Sequence, residues 1–107
     1  MKNAKKCIAL VLLLALLAGC TGARNTGGPY SVYLIVKSTT TEFWKSVFAG
    51  ANAAKSEYNV DLTILGAETE ENYEEQNAFI RQAIAEQADA IVFSAISYTE
   101  NAQAINE

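Results

Sequence analysis

A lysine and four hydroxyl-bearing residues lead directly into two adjacent aromatic residues in the segment "KSTTTEFW", residues 37–44. Hydroxyl and ammonium groups can hydrogen-bond to the hydroxyls of a small solute, and an aromatic ring offers an apolar face for the C–H bonds of a sugar ring. This combination indicates a site for a sugar-like solute. The segment also fits an ordinary helix start, because Thr39 and Glu42 have the spacing of a capping box and Phe43 begins an apolar helical stripe.

Residue composition excludes several kinds of catalytic and metal site. The chain has no histidine, so it lacks the base of Ser-His-Asp and Cys-His catalysis and the usual nitrogen ligand for zinc. No glycine lies between Tyr30 and Phe48, which rules out a dinucleotide-binding or phosphate-binding loop there. Neighbouring glutamates such as Glu70 and Glu71 are better explained by a solvated helix face than by acid–base catalysis. We expect no enzyme activity, no cofactor and no metal.

Three strand patterns alternate with three helix patterns after residue 29. The predicted strands are the compact apolar runs "YSVYLIV" (30–36), "VDLTIL" (60–65) and "ADAIVF" (88–93). The first two helices are predicted from apolar stripes at helical spacing, namely Phe43, Val47, Ala51, Ala54 and Tyr58, and then Tyr73, Gln76, Ile80, Ala83 and Ile84. A third helix is expected to begin at about Tyr98, after a capping box formed by Ser97 and Glu100.

This alternation predicts an α/β domain with a three-layer parallel sheet, in strand order 2-1-3 with right-handed crossovers. In an open parallel sheet, ligands bind at the carboxyl ends of the strands. Here those ends are followed by "KSTTTEFW", "GAETEEN" and "SAISY". The hydroxyl-rich and aromatic segment therefore lies at the edge where a ligand is expected.

The first 20 residues have the layout of an export signal. Three lysines in the first six positions precede eleven apolar residues, 8–18, which is shorter than the ~20 residues of a membrane-spanning helix. The run ends in "LLAGC", which resembles the lipobox of bacterial lipoproteins and implies lipid attachment at Cys20 with cleavage before it. The predicted organisation is a signal peptide (1–19), a flexible tether (20–29) and a folded domain (30–107). It implies an extracytoplasmic protein anchored to the cell membrane by its lipid.

Removal of residues 1–19 leaves five basic against twelve acidic side chains, a net charge of −7. A nucleic-acid backbone would be repelled by this charge, so no nucleic-acid partner is expected. The only other cysteine, Cys7, lies in the segment that would be removed, so no internal disulfide is possible.

Residues 32–96 resemble the amino-terminal lobe of type I periplasmic substrate-binding proteins of the ribose and galactose group, which serve ABC importers. The resemblance rests on the strand followed by a polar loop and "FW", on "FAGANAAKSE", on the "Q...I...AI" helix and on "ADAIVFSA". It implies a Rossmann-like lobe that binds a sugar or sugar-like solute and delivers it to ABC permease subunits. The ligand-binding residues it implies are Lys37, Thr41, Phe43, Trp44 and Ser94.

Two features depart from that family. Its members often have an Asn-x-Pro-aromatic loop where this chain reads "TTEFW", so a strong sugar-hydroxyl partner is missing at Thr41. Its members also have two lobes joined by a hinge, whereas this chain is shorter than one lobe, and we expect it to be an amino-terminal fragment.

Two other roles remain open at this stage. A sensor subunit that presents its ligand to a chemotaxis receptor or membrane kinase would have the same domain, and the genes next to this one would distinguish sensing from transport. A transcription repressor with the sugar-binding fold is disfavoured by the export signal and by the lack of a helix-turn-helix before the first strand.

Overall fold

The computed structural model describes residue 1 and residues 27–107 of the chain. The predicted signal peptide, Cys20 and most of the predicted tether therefore lie outside the described residues. The elements are β1 (Ser31–Val36), α1 (Glu42–Tyr58), β2 (Asp61–Gly66), α2 (Tyr73–Ala85), β3 (Ala90–Phe93) and α3 (Ala102–Ile105). In the part of the chain described, no helix is both long and apolar enough to cross a membrane.

The three strands form one parallel sheet in the order β2-β1-β3, which confirms the predicted topology and fold class. Along β1, Leu34 lies opposite Ile64 on one side and Val92 on the other. Because all strands run the same way, the loops that follow them emerge at one edge of the sheet. We call this the carboxyl edge, and it is where residues 37–41, 67–72 and 94–101 lie.

One face of the sheet carries the core, where Tyr33 and Ile35 pack with Ile80, Ala83 and Ala104. This is the face covered by α2 and α3, and the predicted burial of Gln76, Ile80 and Ala83 is confirmed. Ile84, predicted to be buried with them, is 42% exposed, since it lines an open pocket beside Ile91 and Phe93 of β3.

One polar contact joins α2 to the sheet and a second joins it to the residue that ends the chain after α3. The Tyr33 hydroxyl donates a hydrogen bond to the Glu86 carboxylate at the end of α2. This bond raises the pKa of the Tyr33 phenol and lowers the pKa of the Glu86 carboxyl, so both groups keep the protonation state that the bond requires across neutral pH. Arg81 forms a bidentate ion pair with Glu107, with both N···O distances at 2.9 Å.

The other face of the sheet is only partly covered by α1. The helix turns its predicted stripe toward the sheet, but an apolar cavity of about 460 Å³ remains between Val47, Ala51 and Tyr58 of α1 and the strand side chains Val32, Leu34 and Leu62. Three members of that stripe are exposed, namely Phe43 at 67%, Tyr58 at 70% and Ala54, so the burial that the stripe predicts is wrong for them. Tyr58 and Ala54 line the open cavity, which leaves them in contact with solvent.

Both predicted capping boxes differ from the structure. The N-cap of α1 is Thr41 rather than Thr39, and it forms no side-chain capping hydrogen bond. Thr39 is instead held at the carboxyl edge, where its backbone N–H donates to the Ala67 carbonyl at 3.4 Å. Ser97 does accept a hydrogen bond from the backbone N–H of Glu100, but residues 98–101 form turns and α3 begins only at Ala102.

Gly66, at the end of β2, permits a close approach between two loops of the carboxyl edge. A Cβ atom there would lie 2.8 Å from Val36 Cγ2, 2.9 Å from Thr39 Cγ2 and 3.1 Å from the backbone carbon of Ser38. We expect Gly66→Ala to lower the free energy of unfolding by about 1–3 kcal/mol, because the backbone of residues 36–39 must move. Urea unfolding followed by the fluorescence of the single tryptophan measures this change.

Gly50 is the matched control, since it lies inside α1 and a Cβ there would meet nothing within 4 Å. Gly50→Ala should raise stability by up to ~1 kcal/mol through helix propensity alone. If the two substitutions changed the free energy of unfolding in the same direction, close contact between Gly66 and residues 36–39 would not explain the effect of Gly66→Ala.

Candidate functional site

The candidate site is built by the loops that follow β1 and β3 at the carboxyl edge. The last β1–β3 ladder bond runs from the Ser94 N–H to the Ile35 carbonyl at 2.9 Å. The pairing of β1 with β3 ends there, so residues 37–41 and residues 95–97 both leave the sheet at this edge. The parallel pairing therefore brings Lys37 and Ser94, which are 57 positions apart in sequence, to the same edge.

Within the first loop, Ser38 is the buried residue and makes internal hydrogen bonds, in which the Thr40 hydroxyl takes part through a 3.5 Å bond to the Glu68 carbonyl. The Ser38 side chain is 1% exposed, and its Oγ accepts from the Thr40 N–H at 3.2 Å and lies 3.0 Å from Thr40 Oγ1. The same Oγ donates to the Glu68 carbonyl at 3.4 Å, which joins the first loop to the second. Thr39, Thr40 and Thr41 are exposed. The hydrogen bonds of the buried Ser38 side chain thus hold the loop in place, while the three threonines are exposed to solvent.

The two adjacent aromatic residues differ in their surroundings. Trp44 is 8% exposed, and its Nε1–H donates to Glu70 Oε1 at 2.9 Å, which ties the start of α1 to the loop after β2. Phe43 is 67% exposed, and its ring meets the Trp44 ring edge to face, with centroids 5.0 Å apart and an interplanar angle of 81°. Trp44 is therefore the buried ring of this pair, and Phe43 is the ring exposed to solvent.

The remaining residues predicted from the resemblance lie along the same edge. Lys37 directly follows β1 and is half-buried, whereas Thr41 is exposed at the N-cap of α1. Ser94 directly follows β3, is half-buried, and has both its backbone N–H and its carbonyl in hydrogen bonds. Among residues 27–107 no cluster of carboxylates or cysteines has the arrangement needed to hold a metal ion.

Several residues that shape this edge were not predicted to do so. Gln76 lies beneath it and is 0% exposed, Gly66 allows the first two loops to meet, and Glu70 accepts the tryptophan N–H. Gln76 is the one that the sequence could have revealed, because it is the only polar member of the otherwise apolar or aromatic α2 stripe. The apolar cavity beside α1 is lined mainly by aliphatic side chains, so it lacks the convergent polar groups that a sugar requires.

Three parallel strands, helices on both faces and a polar edge at the strand ends define an α/β class of domain that binds its ligands at the strand ends. The family model for the periplasmic binding protein domain matches residues 32–107, and the chain belongs to this family. Family members bind solutes without transforming them, and the periplasmic domain agrees with a location outside the cytoplasm. None of the curated proteins compared with the chain matches it significantly.

Solved structures show the same fold. The chain is similar to a sugar transporter from Clostridium phytofermentans, with 32% identity, a TM-score of 0.70, and coverage of 73% of this chain and 30% of that one. It is also similar to a carbohydrate transporter solute-binding protein from Agrobacterium radiobacter, solved in complex with D-arabinose, with 29% identity, a TM-score of 0.70, and coverage of 73% and 26%. The chain thus spans less than a third of the length of these structures.

A third similar structure carries a different description. It is an "ABC transporter, LacI family transcriptional regulator" from Brachyspira murdochii, with 30% identity, a TM-score of 0.66, and coverage of 77% of this chain and 26% of that one. All three descriptions name a transporter, and two of them name a sugar or carbohydrate.

Proposed function

We propose that this chain supplies one wall of the binding site of a lipid-anchored solute-binding protein, which delivers a sugar or sugar-like solute to an ABC permease. The observation that carries the proposal is the composition of the carboxyl edge. An exposed ring, Phe43, lies in the first turn of α1, directly after a loop that carries the half-buried Lys37 and exposed threonines and that internal hydrogen bonds hold in place. A sugar needs this pairing of an apolar face with hydrogen-bonding groups.

Each residue of the proposed wall has a distinct role. Phe43 packs against the C–H face of the sugar ring, and Trp44 holds Phe43 in place through the edge-to-face contact. Lys37, Thr41 and Ser94 hydrogen-bond the hydroxyls of the solute from the ends of β1 and β3. The D-arabinose bound to the Agrobacterium radiobacter protein supports a pentose or a similar small sugar as the ligand.

The second wall belongs, in this proposal, to a longer protein of which this chain is the amino-terminal part. The support is that the similar solved structures are more than three times as long as the segment that the chain matches. The predicted export signal and the lipid attachment expected at Cys20 support, for the complete protein, a location outside the cytoplasm with a lipid tether to the membrane. Presentation of the ligand to a sensor rather than to a permease would use the same wall, and neighbouring genes for a kinase or for a permease and ATPase would distinguish the two.

The proposal is tested by adding D-arabinose to the 15N-labelled chain and recording the backbone amide chemical shifts. At tens of millimolar sugar, we expect the amide signals of residues 37–43 and 94–97 to move, because these segments carry the proposed contacts. The amides of Asp61 and Asp89 lie at the opposite end of the sheet and should stay in place. Glycerol at the same concentration is the control, since it has hydroxyls but no ring.

Two results would reject the proposed wall. One is an absence of sugar-dependent shifts at residues 37–43 and 94–97, and the other is an identical pattern of shifts with glycerol. Shifts centred on the cavity beside α1 would place the ligand on the wrong face of the sheet.

A further inference from the structure

Gln76 is a buried polar side chain that reaches from α2 to the carboxyl ends of two strands. It is 0% exposed, and its Nε2 donates to the Val36 carbonyl at 3.0 Å and to the Ser94 carbonyl at 2.9 Å. Its Oε1 accepts from the Ile96 N–H at 2.9 Å. One carboxamide therefore satisfies three backbone groups in the first residues beyond the β1–β3 ladder.

The position of these contacts explains why a side chain is needed there. The ladder ends with the bond from Ser94 to Ile35, and past this point the backbones of β1 and β3 diverge. Without Gln76, the carbonyl of the buried Val36 and that of the half-buried Ser94 would lose these donors, and a buried polar group left without a partner destabilises the fold. A carboxamide has both the two N–H donors and the acceptor that this place requires.

Two of these three backbone groups belong to, or directly precede, proposed ligand-contacting residues. Val36 is followed by Lys37, and Ser94 is itself one of the proposed contacts. The distance between the two strand ends, and so between these two contacts, depends on both N–H bonds of Gln76. A 1 Å change in such a distance is enough to weaken the hydrogen bonds that a sugar would make.

We propose that Gln76 is a positioning residue that sets the separation of the β1 and β3 ends at the solute-binding edge. Its link to ligand affinity rests on the proposed function, whereas its effect on the strand ends does not. It touches no solute itself and acts through Lys37 and Ser94.

The 15N-labelled chain carries a direct test that needs no substitution. The side-chain NH2 protons of Gln76 should exchange with solvent at least about tenfold more slowly than those of Gln103, which is exposed. Equal exchange rates for the two side chains would overturn the proposal, because both Gln76 donors would then be free.

Substitution tests the effect on the strand ends. Gln76→Met keeps a side chain of similar length and removes both donors and the acceptor. We expect the amide signals of Lys37 and Ser94 to shift, the Ile96 amide to exchange at least about tenfold faster, and the D-arabinose-dependent shifts to be lost. The matched control is Ile80→Val, a substitution in the core one turn further along the same face of α2. It should lower stability while leaving the signals of these three residues and the sugar response unchanged.

The outcomes separate this inference from the proposed function. If Gln76→Met left the Lys37, Ser94 and Ile96 signals where they are in the unsubstituted chain, Gln76 would not position the strand ends. If the signals moved equally in Ile80→Val, its role would be general packing. If the unsubstituted chain showed no sugar response while Gln76→Met still displaced both strand ends, the proposed function would fail and the positioning role would stand.

Discussion

Replacing Cys20 with serine should abolish lipid labelling of the protein and release it from the membrane fraction. The proposed anchor is attached to the Cys20 sulfur, and the hydroxyl of serine does not take its place. The apolar run 8–18 offers no alternative anchor, because eleven residues are too few to span a bilayer that requires ~20. Labelled fatty acid, supplied to the producing cells and followed by fractionation, measures both effects.

Cys7 provides the matched control, since it is the only other cysteine and lies within the segment that would be cleaved. Cys7→Ser should retain full labelling. If Cys20→Ser stayed lipid-labelled in the membrane fraction, or if Cys7→Ser lost the label instead, the proposed attachment site would be wrong.

The second large effect concerns affinity. We expect the described domain alone to bind sugars with a Kd of about 1 mM or weaker, equivalent to a binding free energy on the order of −4 kcal/mol. The carboxyl edge is a single exposed wall, so a bound sugar would keep most of its hydroxyls in water. Binding pockets normally bury most of the ligand, and the cost of association leaves little net affinity without that burial.

The unpaired edge of β3 affects the solubility of the isolated domain. Ile91 and Val92 of β3 are 37% and 54% exposed, and β3 is paired only with β1 among the described strands. An exposed apolar strand edge favours pairing with other chains, so we expect the isolated domain to aggregate at high concentration.

The topology could be predicted from sequence because apolar periodicity reports burial. The helical stripe at Gln76, Ile80 and Ala83 indicates the covered side of α2, and the structure agrees. The compact apolar run at 31–36 predicts a strand covered on both faces, whereas Val32 and Leu34 on the α1 side are only half-buried. Periodicity does not indicate how much neighbouring surface is available. Phe43 and Tyr58 share the α1 stripe with Val47, yet both are exposed, and the cavity that Tyr58 lines shows that α1 does not pack closely on the sheet.

The sequence does not predict which side chains of the candidate site make internal contacts. The run "KSTTT" shows hydroxyls without showing that Ser38 points inward while the next three residues face solvent. That difference depends on the Glu68 carbonyl, which lies 30 positions away and is brought close by the pairing of β1 with β2. The capping-box pattern at Thr39 failed for the same reason, since contact with Ala67 outweighs the local helix-start signal.

Calorimetric titration of residues 23–107 with D-arabinose and other pentoses and hexoses tests most directly whether the carboxyl edge is one wall of a sugar site. We expect saturable millimolar binding that Phe43→Ala weakens and Tyr58→Ala leaves unchanged. Both substitutions remove an exposed aromatic ring from α1, but only Phe43 stands at the carboxyl edge. Micromolar binding would show that a second wall is not needed. Equal losses in the two variants, or no change in Phe43→Ala, would contradict the placement of the sugar.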